Sequence, residues 1–119
     1  MAIARAGVTV AVSDLARAVA FYERFFELKP EILTDRFAGF AVQGSQYGLL
    51  LQDAYAFPLV RGNNAVPNLR VDDIEAEHER VRALDPPRLT PVQAVGPIRV
   101  FMFDDPDGNV IEISGAPEG

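Results

Sequence analysis

The sequence has no cysteine and no tryptophan, and only one lysine and one histidine in 119 residues. Without cysteine there are no disulfides, no thiolate nucleophiles and no Cys-ligated metal sites. A single histidine rules out the facial triad of two His and one carboxylate that holds non-haem iron. No apolar run approaches the roughly 20 residues a membrane helix needs. Met1 to Gly7 carry no apolar stretch of signal-peptide type, so a cytoplasmic protein with no membrane partner is expected. Positive charge is also short. Eleven Lys and Arg against 17 Asp and Glu leave a formal net charge of −6. That argues against nucleic acid as a partner, which calls for a basic surface. It suits a cationic small ligand, and it equally suits an ordinary acidic soluble protein. No phosphate loop, Ser/His/Asp arrangement or zinc-protease motif is present.

What is present is enough for one folded domain spanning 1–119: 49% apolar residues, with eight Phe and three Tyr as large anchors. The chain also repeats its own pattern. Gly7 to Phe25 (GVTVAVSDLARAVAFYERF) and Val66 to Leu84 (VPNLRVDDIEAEHERVRAL) align at an offset of 59. Val12-Ser13-Asp14-Leu15 then falls on Val71-Asp72-Asp73-Ile74. Each copy reads as a short apolar strand, an acidic or hydroxyl pair and a helix, with Ser13 or Asp14 able to cap the first helix and Asp72 or Asp73 the second. The first strand is expected over Val8–Val12, with the valines on one face and Gly7, Thr9 and Ala11 on the other. Its helix is expected over Leu15–Glu27, burying Leu15, Val19, Tyr22 and Phe26 with Ala18 and Phe25 alongside, and stopping before Pro30. Strands near 31–34, 39–42 and 48–52 follow, with a hairpin turn at Gly44-Ser45-Gln46. Residues 58–65 read as a linker between a module of about 1–57 and one of about 66–119. The second module opens with a strand over 68–71 and a helix over 74–84, stopped by Asp85-Pro86-Pro87. Strands near 89–92, 98–103 and 110–114 complete it, with Asp107-Gly108 as a tight turn between the last two. The order is βαβββ, twice. His78, at helical spacing from Ile74 and Val81, reads as a boundary residue between helix and sheet. Glu75, Glu77 and Glu79 read as a solvated helix face.

A duplicated βαβββ unit of this length resembles the vicinal-oxygen-chelate superfamily of glyoxalases, bleomycin-resistance proteins and extradiol dioxygenases. Two strings carry the likeness. Val10-Ala11-Val12-Ser13-Asp14-Leu15, with Ala18-Val19 and Phe21-Tyr22, is similar to the family's first strand and helix. Phe101-Met102-Phe103-Asp104-Asp105-Pro106-Asp107-Gly108-Asn109-Val110-Ile111-Glu112-Ile113 is similar to its most recognisable stretch. The resemblance implies an α+β fold of two tandem modules whose open, curled sheets carry helices outside and ligands inside. It also implies a homodimer whose modules complete a cavity between two chains, the alternative being one chain that closes its two modules on each other.

Metal-using members of that family place ligands at the starts of the two first strands and near the ends of the two last strands. Here those positions correspond to Gly7 and Val66, and to Gln52 and Glu112 when Gly48 is matched with Gly108. Only Glu112 keeps a carboxylate, and one Glu with one Gln is a poor donor set for a divalent ion. No metal or other cofactor is therefore expected. If a divalent metal is held, Glu112 and Gln52 are the ligands. Glu112 is expected to contact a ligand or an arginine, Arg99 or Arg70, since a buried carboxylate must be paired or protonated. Glu112, Gln52, Thr9, Arg99 and Phe101 make up the expected ligand site. Phe37, Phe40, Tyr47, Tyr55 and Phe57 are further aromatics for the cavity or an interface. The favoured function is a metal-free binder of a small cationic or aromatic molecule, such as an antibiotic or metabolite, without a catalytic residue. One alternative is a metal-dependent lyase, isomerase or transferase with an atypical site. Another is an accessory domain with no small-molecule role.

Overall fold

The computed structural model describes residues 6–53, 66–95 and 97–115. The chain divides into two compact units, Met1–Arg61 and Gly62–Gly119. The first carries β1 (Val8–Val12), α1 (Leu15–Phe26), β2 (Ile32–Leu33), β3 (Phe37–Val42) and β4 (Ser45–Leu51). The second carries β5 (Asn68–Arg70), α2 (Ile74–Ala83), β6 (Gln93–Val95), β7 (Ile98–Asp104) and β8 (Val110–Gly115). Each unit is thus βαβββ. The sheets run β1-β4-β3-β2 and β5-β8-β7-β6. In each, the strand before the helix lies parallel to the last strand, and the other pairs are antiparallel. The proposed linker, with Tyr55 and Phe57, lies outside the described residues. No helix among the described residues is long and apolar enough to cross a membrane.

The two helices begin 59 residues apart, and both are capped as the repeat requires. Asp14 accepts a hydrogen bond from the Arg17 amide at 3.0 Å and Asp73 from the Ala76 amide at 3.1 Å. Each such cap stabilises its helix by about 1 kcal/mol. The buried stripe of α1 is rotated from the expected one. Ala18, Tyr22 and Phe25 are buried, whereas Leu15, Val19 and Phe26 are only half-buried. A small Ala18 at the contact lets the helix close on the sheet, and Leu15 and Val19 then border a shallow groove shared with Leu33. Beneath α1, Tyr22 meets Tyr47 hydroxyl to hydroxyl at 3.1 Å, and Phe26 packs on Phe40 and Tyr47 with ring centroids 5.4 and 5.1 Å apart. Phe40 and Tyr47 are therefore core residues. The β3–β4 turn is Gln43-Gly44, both at positive φ, with Val42 opposite Ser45. This is the two-residue hairpin turn whose twist matches the flanking strands. It lies one residue before the expected position, because Ser45 and Gln46 already belong to the ladder.

In the second unit, Ile74 and Val81 anchor α2 on its sheet. Ile74 sits so close over Gly115 that a Cβ there would lie 2.9 Å from the Ile74 Cβ. His78 Nε2 bonds the Thr90 carbonyl at 2.8 Å, and its ring meets Phe101 edge-on at 4.9 Å, the boundary placement its spacing suggests. Glu77 and Glu79 pair with Arg80 and Arg82 along the helix, and Glu75 reaches Arg99 at 2.6 Å. The Arg82 guanidinium, by hydrogen bond and then by charge, holds the Glu79 carboxyl below its ordinary range. The exposed Glu79–Arg82 pair adds little stability, whereas Glu77 and Arg80 pair half-buried and not on a fully solvated face.

Two details depart from expectation. The strand near 89–92 is absent. Only Thr90 engages β7, through its amide to Met102 O and its hydroxyl from Met102 N, both at 2.9 Å. Pro91 has no N–H with which to extend that ladder, and the regular strand resumes at Gln93. The turn between β7 and β8 spans Asp105–Asn109, with Asp104 opposite Val110, so β7 runs one residue beyond the expected 98–103.

Candidate functional site

Strand alternation sorts the second sheet into two faces. Phe101 is paired with Ile113, Phe103 with Ile111 and Arg99 with Gly115, all on the side of α2. Phe101 is fully buried there, and Arg99 donates to Glu75 at 2.6 Å. Neither shares a face with Glu112. The helix-free side carries Asn68 and Arg70 from β5, Val100 and Met102 from β7, and Glu112 and Ser114 from β8.

Glu112 stands at the centre of this face, with Asn68 as its neighbour on β5 and Met102 on β7. Asn68 Nδ2 donates to Glu112 Oε1 at 2.6 Å, and Ser114 Oγ donates to Asn68 Oδ1 at 3.3 Å. The carboxylate fixes which way the amide points, because it only accepts, whereas the serine hydroxyl can serve either end. The amide nitrogen then turns to Glu112, whose other oxygen, Oε2, has no partner among the described residues. Asn68 was missed in the sequence, although the repeat places it at the position of Thr9, already a candidate.

On the first sheet the corresponding row is Thr9, Gly48 and Gly39, side by side on β1, β4 and β3. Thr9 is exposed on the helix-free face, as expected, and borders an open cavity of about 310 Å³ lined by Ala6, Gly7, Val8, Thr9 and Gln46. The Phe37 ring lies across both glycines. A Cβ on Gly48 would meet Phe37 Cε1 and Thr9 Oγ1 at 2.9 Å, and one on Gly39 would meet Phe37 Cε2 at 3.1 Å. The absent side chains are the space the ring occupies. Gly48→Ala should therefore cost about 1–3 kcal/mol by overpacking. Urea denaturation of Gly48→Ala beside Gly48→Ala/Phe37→Ala checks this, because removing the ring should remove most of the added cost.

The register also corrects the position of Gln52. It lies beyond the end of β4, exposed, with its amide bonded to Val12 O at 2.8 Å. The two turn glycines at positive φ are Gly44 and Gly108. Counted from them, the first-sheet counterpart of Glu112 is Gly48, and the pairing of Gly48 with Thr9 and of Glu112 with Asn68 says the same.

Comparison with known proteins agrees with this architecture. Residues 5–113 match the Glyoxalase/Bleomycin resistance protein/Dioxygenase superfamily. The chain belongs to this superfamily, the vicinal-oxygen-chelate proteins. Comparison with curated protein sequences gives no significant match. Solved structures share the fold at low identity. A lactoylglutathione lyase from Agrobacterium tumefaciens is 19% identical, with a TM-score of 0.76, covering 94% of this chain and 92% of that one. A glyoxalase/bleomycin resistance protein from Catenulispora acidiphila is 19% identical at a TM-score of 0.72, covering 95% and 98%. The fosfomycin resistance protein FosX from Listeria monocytogenes, solved with Mn(II) and sulfate, is 20% identical at a TM-score of 0.77, covering 98% and 93%.

The superfamily's metal does not fit the residues found here. Gly7 and Val66 have no ligating side chain, and Gly48 has none where Glu112 has its counterpart. One oxygen of Glu112 is already taken by an amide. Among the described residues no group of three His, Cys, Asp or Glu stands close enough to hold an ion. A lone carboxylate falls short of the several donors that divalent ions require.

Proposed function

We propose that this chain is a metal-free binder of a small molecule with a cationic head and an apolar body, such as an amine-bearing antibiotic or metabolite. The observation that carries the reading is the state of Glu112, a half-buried carboxylate held by an amide instead of a metal-ligand set, with Oε2 left to accept. A charged acid beside apolar side chains is satisfied by a partner of opposite charge. Met102, half-buried on the same face beside Glu112, supplies apolar surface for the rest of the ligand.

The test is calorimetric titration with aromatic amines, beginning with 2-phenylethylamine, alongside elemental analysis of protein purified without chelator. Glu112→Gln keeps the shape of the side chain and the Asn68 contact to its oxygen while removing the charge. It should weaken amine binding at least tenfold and leave the melting temperature nearly unchanged. One equivalent of a transition metal, lost on Glu112→Gln, with amine affinity unaltered, would sink the proposal in favour of a metal-dependent lyase, isomerase or transferase.

A further inference from the structure

Arg70 gives the face a second pole. It lies two residues beyond Asn68 on β5, on the same side of the sheet, with Ser114 as its neighbour on β8. Arg36, Arg80, Arg82, Arg88 and Arg99 are each committed to a carboxylate. Arg70 is exposed and has neither a hydrogen bond nor an ion pair among the described residues, although Glu112 stands on its own face. Two residues of strand separate the Asn68–Glu112 row from the Arg70–Ser114 row, about 7 Å. The two charges are near enough to act on one small molecule, and they do not neutralise each other by contact.

From this juxtaposition we infer that the ligand is zwitterionic, an α-amino acid or a close derivative, with its ammonium on Glu112 Oε2 and its carboxylate on the Arg70 guanidinium. This rests on the reading of Glu112 as the cation acceptor. The reasoning is electrostatic. A purely cationic ligand drawn to Glu112 is repelled by Arg70 a few ångströms away, so much of the attraction is cancelled. A ligand carrying both signs in the right order gains at both ends. Arginine suits the carboxylate end, since its planar fork matches two carboxylate oxygens. Asn68, exposed between the two poles, keeps the Glu112 head fixed through its 2.6 Å bond. Met102, half-buried beside Glu112, favours an apolar or aromatic side chain on that amino acid.

Three probes that differ only in charged groups separate the possibilities: L-phenylalanine, 2-phenylethylamine and 3-phenylpropanoate, titrated into the full chain and its variants by calorimetry or NMR. L-phenylalanine should bind at least tenfold more tightly than either single-charge analogue. Arg70→Gln should erase its advantage over 2-phenylethylamine and leave the amine's own affinity equal or higher. Glu112→Gln should weaken both. If Glu112→Gln weakens both while Arg70→Gln changes neither, the zwitterion inference fails and the cation reading stands. If neither amine-bearing probe responds to Glu112→Gln, or no probe binds the unaltered chain, both fail. Thermal melts of the two variants, each changed on an accessible side chain, confirm that the fold is intact.

Discussion

Phe101→Ala is expected to lower the free energy of unfolding by about 4 kcal/mol, the usual cost of truncating a buried Phe. Its ring is fully buried on the α2 side of the second sheet, edge-on to His78 at 4.9 Å and stacked on Phe103 at 6.2 Å. Removing it forfeits the transfer energy of the ring and leaves a cavity. The walls of that cavity are a helix anchored at Ile74 and Val81 and a four-stranded ladder, so they can collapse only in part. Phe101→Leu should recover more than half of the loss. Urea denaturation followed by circular dichroism gives both numbers. Ligand affinity at Glu112, measured on the folded fraction, should not move, because the two side chains lie on opposite faces. A change in stability below about 0.5 kcal/mol, coupled to a large change in affinity, would instead place Phe101 in the ligand site.

Phe101 also shows where the sequence is readable and where it is not. The strand–acid–helix pattern locates β1, α1, β5 and α2 to within a residue or so, because an apolar run and an Asp cap are local signals. The facing of β7 is not local. Had the chain turned on Asp107-Gly108 alone, Phe103 would oppose Glu112, and Phe101 would share its face. The five-residue turn puts Met102 there instead. An error of one residue in a turn exchanges the two faces of a strand. The misplacement of Gln52 has the same origin. Matching Gly48 with Gly108 makes it the equivalent of a turn glycine, but it lies within β4, and nothing in a bare glycine distinguishes the two roles. Pro91, by contrast, was a signal available in the sequence against a strand over 89–92. Glu112 was visible as the lone carboxylate of its motif, whereas its partner Asn68 emerges only from the parallel pairing of β5 with β8.

That turn carries the second large effect. Asp105→Ala should cost about 3 kcal/mol. Asp105 is fully buried, and its carboxylate accepts from the Asp107 amide at 2.8 Å, the Asn109 amide at 2.9 Å and Asn109 Nδ2 at 2.9 Å. Alanine leaves these donors without that acceptor, and Asn109 is itself buried, where water cannot readily replace it. Asp105→Asn retains one carbonyl oxygen and should lose less, about 1–2 kcal/mol. Denaturant titration measures the stability, and hydrogen exchange at the Asp107 and Asn109 amides locates the loss, since both should exchange faster in Asp105→Ala. The consequence reaches the binding face. The Asp105 carboxylate fixes the length of the turn, the length fixes the parity of β7 against β8, and the parity sets Met102 instead of Phe103 beside Glu112. Asp105→Ala should therefore weaken amine binding even where the protein remains folded, without touching any residue on the ligand side. Unchanged affinity in the folded variant would mean that the pairing of β7 with β8 holds its register without help from the turn.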